Sequence, residues 1–328
     1  MGVLVARRLL QSLVVILGVT LISFIALHAG GDPTYLFVSE RATAEEIALV
    51  RHALGFDRPL HVQYLSFVAD LARGDFGTSL SYRQPAIDIV LGAFPATIEL
   101  AVFAFVIAIA LAVPLGVVAA INRGTAVDGS ITILGLLGQS IPNFWMGIML
   151  ILFFGLYLRW FPISGQVPFL LPLLNGDLAT AISNLPRTIY FLVMPGIAVA
   201  TYSLARNTRL VRSTMLEELG QDYVRTARAK GLDERVVIVQ HALRNAWLPV
   251  VTMIGLEFGF LLGGVVVTET VFSYPGIGRL LFNAINQRDI PLVQAGVILL
   301  AGNFILLNTI VDLVYAKLDP RVTLSRRR

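Results

Sequence analysis

Cysteine is missing from the 328 residues, which excludes disulfides and thiolate metal sites and leaves the redox compartment open. Lysine is nearly missing, with Lys230 and Lys317 the two present. Charge of either sign is scarce: 14% of residues are Asp, Glu, Lys or Arg, against about 25% in a soluble domain. A thick soluble core does not account for so large a deficit. Catalytic signatures are missing too. A nucleotide-binding loop needs Gly-x-x-x-x-Gly-Lys-Ser/Thr, and neither lysine completes one, since Lys230 follows Ala229 and Lys317 follows Ala316. The histidines His28, His52, His61 and His241 are scattered and form no His-Glu-x-x-His. No Gly-x-Ser-x-Gly elbow occurs. An energy source would have to be an ion gradient or another chain.

Hydrophobic residues make up 56% of the chain, and the mean hydropathy is +0.77. Six apolar runs stand out: Leu9–Leu27, Ile98–Ile121, Ile131–Leu158, Thr188–Ala205, Leu248–Thr268 and Leu292–Tyr315. A helix of about 20 residues crosses a bilayer, and longer runs cross with a tilt. In lipid every amide must bond within its own segment, which favours helices. A barrel would need alternating strands of about 10 residues, and these runs do not alternate. The expected fold is an all-α integral membrane protein with about six transmembrane helices. The first run, with Arg7 and Arg8 before it, could be a signal peptide. It is longer than the usual apolar core of 7–15 residues and no small-x-small site follows, so it is read as a retained helix.

The pI of about 9.6 comes mostly from arginine. In so apolar a chain it reads as the positive-inside bias of membrane proteins rather than as a nucleic-acid surface. With the N-terminus inside, sixteen basic residues fall on inner segments and nine on outer ones. Arg7, Arg8, Arg206, Arg209, Arg212 and both lysines are among the inner set. The asymmetry places both termini in the cytoplasm. The expected organisation is an N-terminus and first span over 1–27, a periplasmic loop over 28–95, and a membrane core over 96–328 with a cytoplasmic loop at 206–247. Within the outer loop the spacing predicts a helix near Ala44–Leu54, with Gly55 as its stop.

Pro114-Leu-Gly116 is expected to interrupt the second span and Gln139-Ser-Ile-Pro142 the third. Such breaks are either ordinary kinks between packed helices or the lining of a translocation path. Glu257 lies mid-span, where an acid is expensive and faces the bundle interior; it is read as a structural hydrogen-bonding group or a path residue. Gln139, Asn143 and Asn303 are cheaper and either line the path or hold helices together. Glu99 and Glu269 fall near outer span ends, where water is expected to be close.

The inner loop carries the densest pattern. Residues Gln221–Lys230 suit a short helix, with Asp222 in the first turn and Lys230 in the last, matching the helix dipole. Gly231 can take the left-handed conformation that ends it. Thr226, Ala227 and Ala229 are small enough to let a partner approach closely. A second helix is expected from the cap candidate Asp233 toward Trp247. By spacing alone the loop is equally a basic surface beside anionic headgroups.

Asp222-Tyr-Val-Arg-Thr-Ala-Arg-Ala-Lys-Gly-Leu232, followed by His241-Ala-Leu-Arg-Asn-Ala-Trp-Leu-Pro249, resembles the coupling loop of the dipeptide/oligopeptide/nickel branch of ATP-binding-cassette importer permeases. The wider importer pattern is Glu-Ala-Ala-x-x-x-Gly. Here Arg225-Thr226-Ala227 replaces the triplet, Gly231 keeps its place, and the downstream proline lies farther off. Further strings resemble that family's first permease subunit: Arg7-Arg8-Leu9, Gly31-Asp32-Pro33, Gly74–Ser79, Pro95–Leu100, Thr268–Arg279, Gln287-Arg-Asp289 and Leu318-Asp-Pro-Arg321.

The resemblance implies a transport subunit without catalytic residues or a cofactor of its own. ATP and Mg would be held by two partner ATPase subunits. A second homologous permease would complete the pore, and a periplasmic or lipoprotein binding protein would deliver the solute, all at a bacterial inner membrane. It further implies that Asp222, Tyr223, Arg225, Thr226, Ala227, Arg228, Ala229, Lys230 and Gly231 form the ATPase-coupling helix. A secondary transporter would need paired broken helices in an inverted repeat, and a membrane enzyme a recognisable catalytic constellation. Neither is evident in the sequence.

Overall fold

The computed structural model describes residues 2–29, 33–39, 41–247, 250–251 and 265–318, with backbone alone at 2–9, 27–29, 33, 36 and 311–318. The chain divides into two compact units, one of Met1–Phe94 with Arg279–Thr309 and the other of Pro95–Gly278 with Ile310–Arg328. Every regular element among the described residues is helical.

The first unit opens with helix α1 (Gly2–Ala29), followed by α2 (Ala44–Ala53) and α3 (Leu60–Ala72). Thr43 starts α2 with a reciprocal cap: its Oγ1 accepts from Glu46 N at 3.3 Å, and Glu46 Oε2 accepts from Thr43 N at 2.8 Å. That helix stands where the spacing predicts one. The α1–α3 pairing is aromatic and polar at once. Phe24 packs on Tyr64 and Phe67, while Tyr64 Oη meets Thr20 Oγ1 at 3.1 Å and donates to Leu17 O at 3.2 Å. Helices α11 (Ile277–Asn286) and α12 (Ile290–Leu318) contribute the rest. Asp289, fully buried at the start of α12, accepts from Ser79 Oγ at 2.5 Å, Ser81 N at 2.9 Å and Leu292 N at 3.3 Å, which ties the 79–83 turn to that helix end.

Helix α4 (Ala86–Ile121) passes from the first unit into the second. Its buried face is a stripe of small residues, Ala101, Ala104, Ala108, Ala112 and Ala119, at spacings of three, four and seven. Val102, Val106, Leu111 and Leu115 of the same helix are exposed. Small residues let membrane helices approach closely. At Gly116 a Cβ would collide with Val211 and with Thr208 O of the next long helix, so only glycine fits. The expected interruption at Pro114 is absent: α4 continues through both Pro95 and Pro114. A proline costs one backbone bond, a loss that a membrane helix tolerates.

The expected break in the third run does occur. Helices α5 (Ala126–Ser140) and α6 (Asn143–Leu150) meet at 102°. Ile141 is extended, at φ −82° and ψ 123°, as a residue before proline prefers. Helix α6 then continues as a π-helix over Ile151–Tyr157. After the short α7 (Leu170–Leu174) comes α8 (Leu178–Leu219), 42 residues long. At 1.5 Å per residue it is about 63 Å long, roughly twice a bilayer core. Residues 206–219, expected in a loop, extend this helix without a break.

Among the described residues three helices are long and apolar enough to cross a membrane, or four if the bent α5–α6 pair counts as one span. The chain is a multi-pass, all-α membrane protein. Most of the fifth run, Leu248–Thr268, lies outside the described residues.

Candidate functional site

At the end of α8 the chain turns at Gly220 into α9 (Asp222–Ala229), one residue shorter at each end than the spacing predicts. Lys230 follows as its cap residue, and Gly231 then takes φ +77°. No atom stands within 4 Å of a Cβ placed there, so backbone conformation rather than space selects glycine. The following helix, α10 (Glu234–Val236), starts at Asp233, whose carboxylate accepts from Arg235 N at 2.8 Å. It runs on as a π-helix over Val237–Leu243 and remains helical to 247.

Helix α9 has two faces. Val224 (0% exposed) and Ala227 (6%) point inward, into an apolar cluster with Ala120 of α4, Val211 and Met215 of α8, and Val237, Ala242 and Ala246. Asp222, Arg225, Thr226, Ala229 and Lys230 face outward and are exposed. Ala227, one of the small residues expected to admit a partner, is thus turned into the chain's own core. Thr226 and Ala229 remain on the open side.

Two polar clasps flank this packing. Arg228 donates to both Glu234 oxygens, at 3.0 and 2.6 Å. The guanidinium holds the Glu234 carboxyl below its ordinary range, so the clasp is intact at neutral pH and is lost as pH falls through that lowered value. On the other side Tyr223 Oη donates to Glu218 Oε2 at 2.5 Å. Partial burial, then the Glu218 charge, pushes the Tyr223 phenol up. By contrast Asp222 and Arg225 stand 3.8 Å apart with side chains 97% and 82% exposed, a pair that water screens. The arrangement can do no bond-making chemistry. It presents a short, rigidly based helix with a mixed and mainly basic outer face.

Three of the four polar residues predicted for the path lie among the described residues. Gln139 Oε1 accepts from Arg209 Nη2 at 2.5 Å. Asn143 opens α6 just beyond the bend and is half-buried. Asn303 is half-buried on α12, and its Nδ2 has no partner among the described residues. Glu257 lies outside the described residues.

Glu99 and Glu269 depart from expectation: they are 8% and 0% exposed, not beside water. Glu99 accepts from Gln166 Nε2 at 2.7 Å, Phe169 N at 2.9 Å and Leu170 N at 2.5 Å, with Tyr274 Oη at 3.4 Å. Thr97 Oγ1 donates to Glu269 at 2.7 Å and accepts from Ile277 N at 2.8 Å. These buried carboxylates join the Pro95–Leu100 string to the Thr268–Arg279 string. Asp128 is a third, bound by Arg212 Nε and Nη2 at 2.6 and 2.8 Å. Hydropathy along the chain registers none of these pairings, because each partner is 67 or more residues away.

Similarity to known proteins runs over nearly the whole chain. Residues 112–324 match the family described as binding-protein-dependent transport system inner membrane component, and residues 1–101 match the family of the N-terminal part of that membrane component. The chain is 42% identical to the dipeptide transport system permease protein DppB of Escherichia coli (strain K12), over 97% of this chain and 98% of the relative. It is 36% identical to the oligopeptide transport system permease protein AppB of Bacillus subtilis (strain 168), over 98% and 99%. It is 37% identical to the glutathione transport system permease protein GsiC of Salmonella choleraesuis (strain SC-B67), over 97% and 98%.

Proposed function

The chain belongs to the family of binding-protein-dependent transport system inner membrane components, and from that membership we propose that it forms half of the pore of an ATP-driven importer of peptides or similar small solutes. It is a transport subunit, not an enzyme. In this reading it sits in a bacterial inner membrane with six spans and both termini in the cytoplasm. A homologous permease supplies the other half of the pore. Two ATPase subunits hold ATP and Mg, and an external binding protein delivers the solute. The substrate class follows the names of relatives that match the chain over nearly its whole length.

The observation that carries the coupling assignment is the two-sided character of α9. Its inner face is locked into the apolar cluster and clasped at Arg228 and Tyr223, while Asp222, Arg225, Thr226, Ala229 and Lys230 remain open to a partner. A helix held this way moves as a body with α8. Closure of an ATPase pair on the open face would therefore displace the long helix and switch the pore between two states by differential binding.

Reconstitution tests this. The chain alone should neither bind nor hydrolyse ATP. With the second permease and the ATPases, hydrolysis should rise on adding loaded binding protein, and peptide should accumulate in proteoliposomes. Tight ATP binding by the isolated chain, or uptake that persists without the ATPases, would overturn the proposal.

A further inference from the structure

A cavity of about 420 Å³ lies between α5 and α8, lined by Thr132 of α5 and by Arg206, Asn207, Arg209, Arg212 and Ser213 of α8, with Leu210 its one apolar side chain. Of the three guanidiniums, one is balanced: Arg212 is paired to Asp128. Arg209 donates to the neutral Gln139. Among the described residues neither Arg206 nor Arg209 forms an ion pair. Both are exposed. Asn207, 2% exposed, gives the cavity a polar wall, and its Nδ2 donates to Ser203 Oγ at 3.2 Å. Along α8 the exposed residues Tyr202, Arg206, Arg209 and Ser213 recur at spacings of four, three and four and so share one face. A polar stripe at the end of a spanning helix faces water or a bundle interior rather than acyl chains.

We propose that Arg206 and Arg209 form a subsite for an acidic side chain of the solute in transit; this rests on the reading of the chain as half of an importer's pore. Two unbalanced guanidiniums side by side suit a carboxylate, whose two oxygens match the planar donor fork. The lining decides between the two anions a membrane protein meets there. A phospholipid headgroup brings acyl chains that need an apolar groove, and Leu210 alone does not make one. A peptide carboxylate brings a polar backbone, which Thr132, Asn207, Ser213 and the displaceable Gln139 can accept. Contact through two side chains is weak enough for release on the far side.

The test uses the complete transporter in proteoliposomes, with Ala-Glu and Ala-Lys as solutes, in phosphatidylcholine with and without phosphatidylglycerol. The charge-removing variant R206Q/R209Q should lower uptake of Ala-Glu about tenfold relative to Ala-Lys, the loss expected for a charge-assisted hydrogen bond, in either lipid. R206K/R209K should keep most of the preference. Binding-protein-stimulated ATP hydrolysis should stay near wild type and so report intact assembly. If the double variant does not assemble, Arg206→Gln alone carries the same comparison. Equal loss of both dipeptides, or no change in their ratio, overturns the subsite. Uptake that depends on phosphatidylglycerol in the wild type and not in the variant assigns the arginines to a lipid headgroup instead. If the wild-type transporter moves neither dipeptide, the importer reading fails and the subsite falls with it.

Discussion

Glu99 carries one buried carboxylate and is met by the side chain of Gln166, the backbone amides of Phe169 and Leu170, and the hydroxyl of Tyr274. Every one of these groups donates. An amide in place of the carboxylate would turn an NH₂ toward donors and leave at least one of them unpaired. Glu99→Gln should therefore cost about 2–3 kcal/mol, as expected for hydrogen bonds to a buried charged group. It should appear as a lower unfolding temperature of the solubilised protein, while Glu217→Gln, in an exposed position outside this network, should be neutral. An unchanged midpoint for Glu99→Gln would mean that the carboxylate does not hold the 166–170 segment. The sequence suggests the opposite environment for this residue. A glutamate next to an apolar run reads as a boundary with water, and its donors come from residues 67 to 175 positions farther along. Ser79 and Asp289 pose the same difficulty: each stands in a string that resembles the family, but nothing local says that the two strings meet.

The short helix α9 shows how far an element can be read from spacing. The acid at its start, the glycine beyond its end and the cap at Asp233 all lie where local rules place them, and the element is found within one residue at each end. Which face is covered is not local information. Val224 and Ala227 are only two apolar positions, and their cover comes from α4, α8 and residues 237–246. This division separates two kinds of substitution. Ala227→Arg would force a long cation into a packed apolar cluster and should lower the amount of folded permease in the membrane. Arg225→Glu with Lys230→Glu changes only the open face, so abundance should stay near wild type while the ATPases co-purify poorly and uptake falls. Quantifying membrane-inserted protein beside co-purified ATPase distinguishes the two. Normal docking of the Arg225→Glu/Lys230→Glu variant would remove the outer face from the coupling assignment.

At the scale of the whole molecule, hydropathy marks the thickness of lipid rather than the ends of helices. It finds the apolar runs but passes straight over the bend that Pro142 marks, and it stops α8 at Ala205, where arginines begin, although the helix continues to Leu219. A helix about 63 Å long cannot lie wholly within a core of about 30 Å. Its last turns carry Arg206, Arg209 and Arg212, and basic residues collect on the cytoplasmic side. On the proposed orientation, which the sixteen-to-nine asymmetry of basic residues motivates, α2 is expected on the opposite face of the membrane. The absence of native cysteine permits a clean test by single-cysteine labelling. Ala44, the first residue of α2, and Gln221, just before α9, are both exposed, and neither side chain makes a capping bond. Ala44→Cys should react with a membrane-impermeant maleimide added to intact spheroplasts. Gln221→Cys should react only after the membrane is opened, and the unsubstituted chain should give no signal under either condition. Labelling of Gln221→Cys from outside, with Ala44→Cys protected, would invert the orientation. It would put α9 on the side of the membrane where no ATPase could reach it.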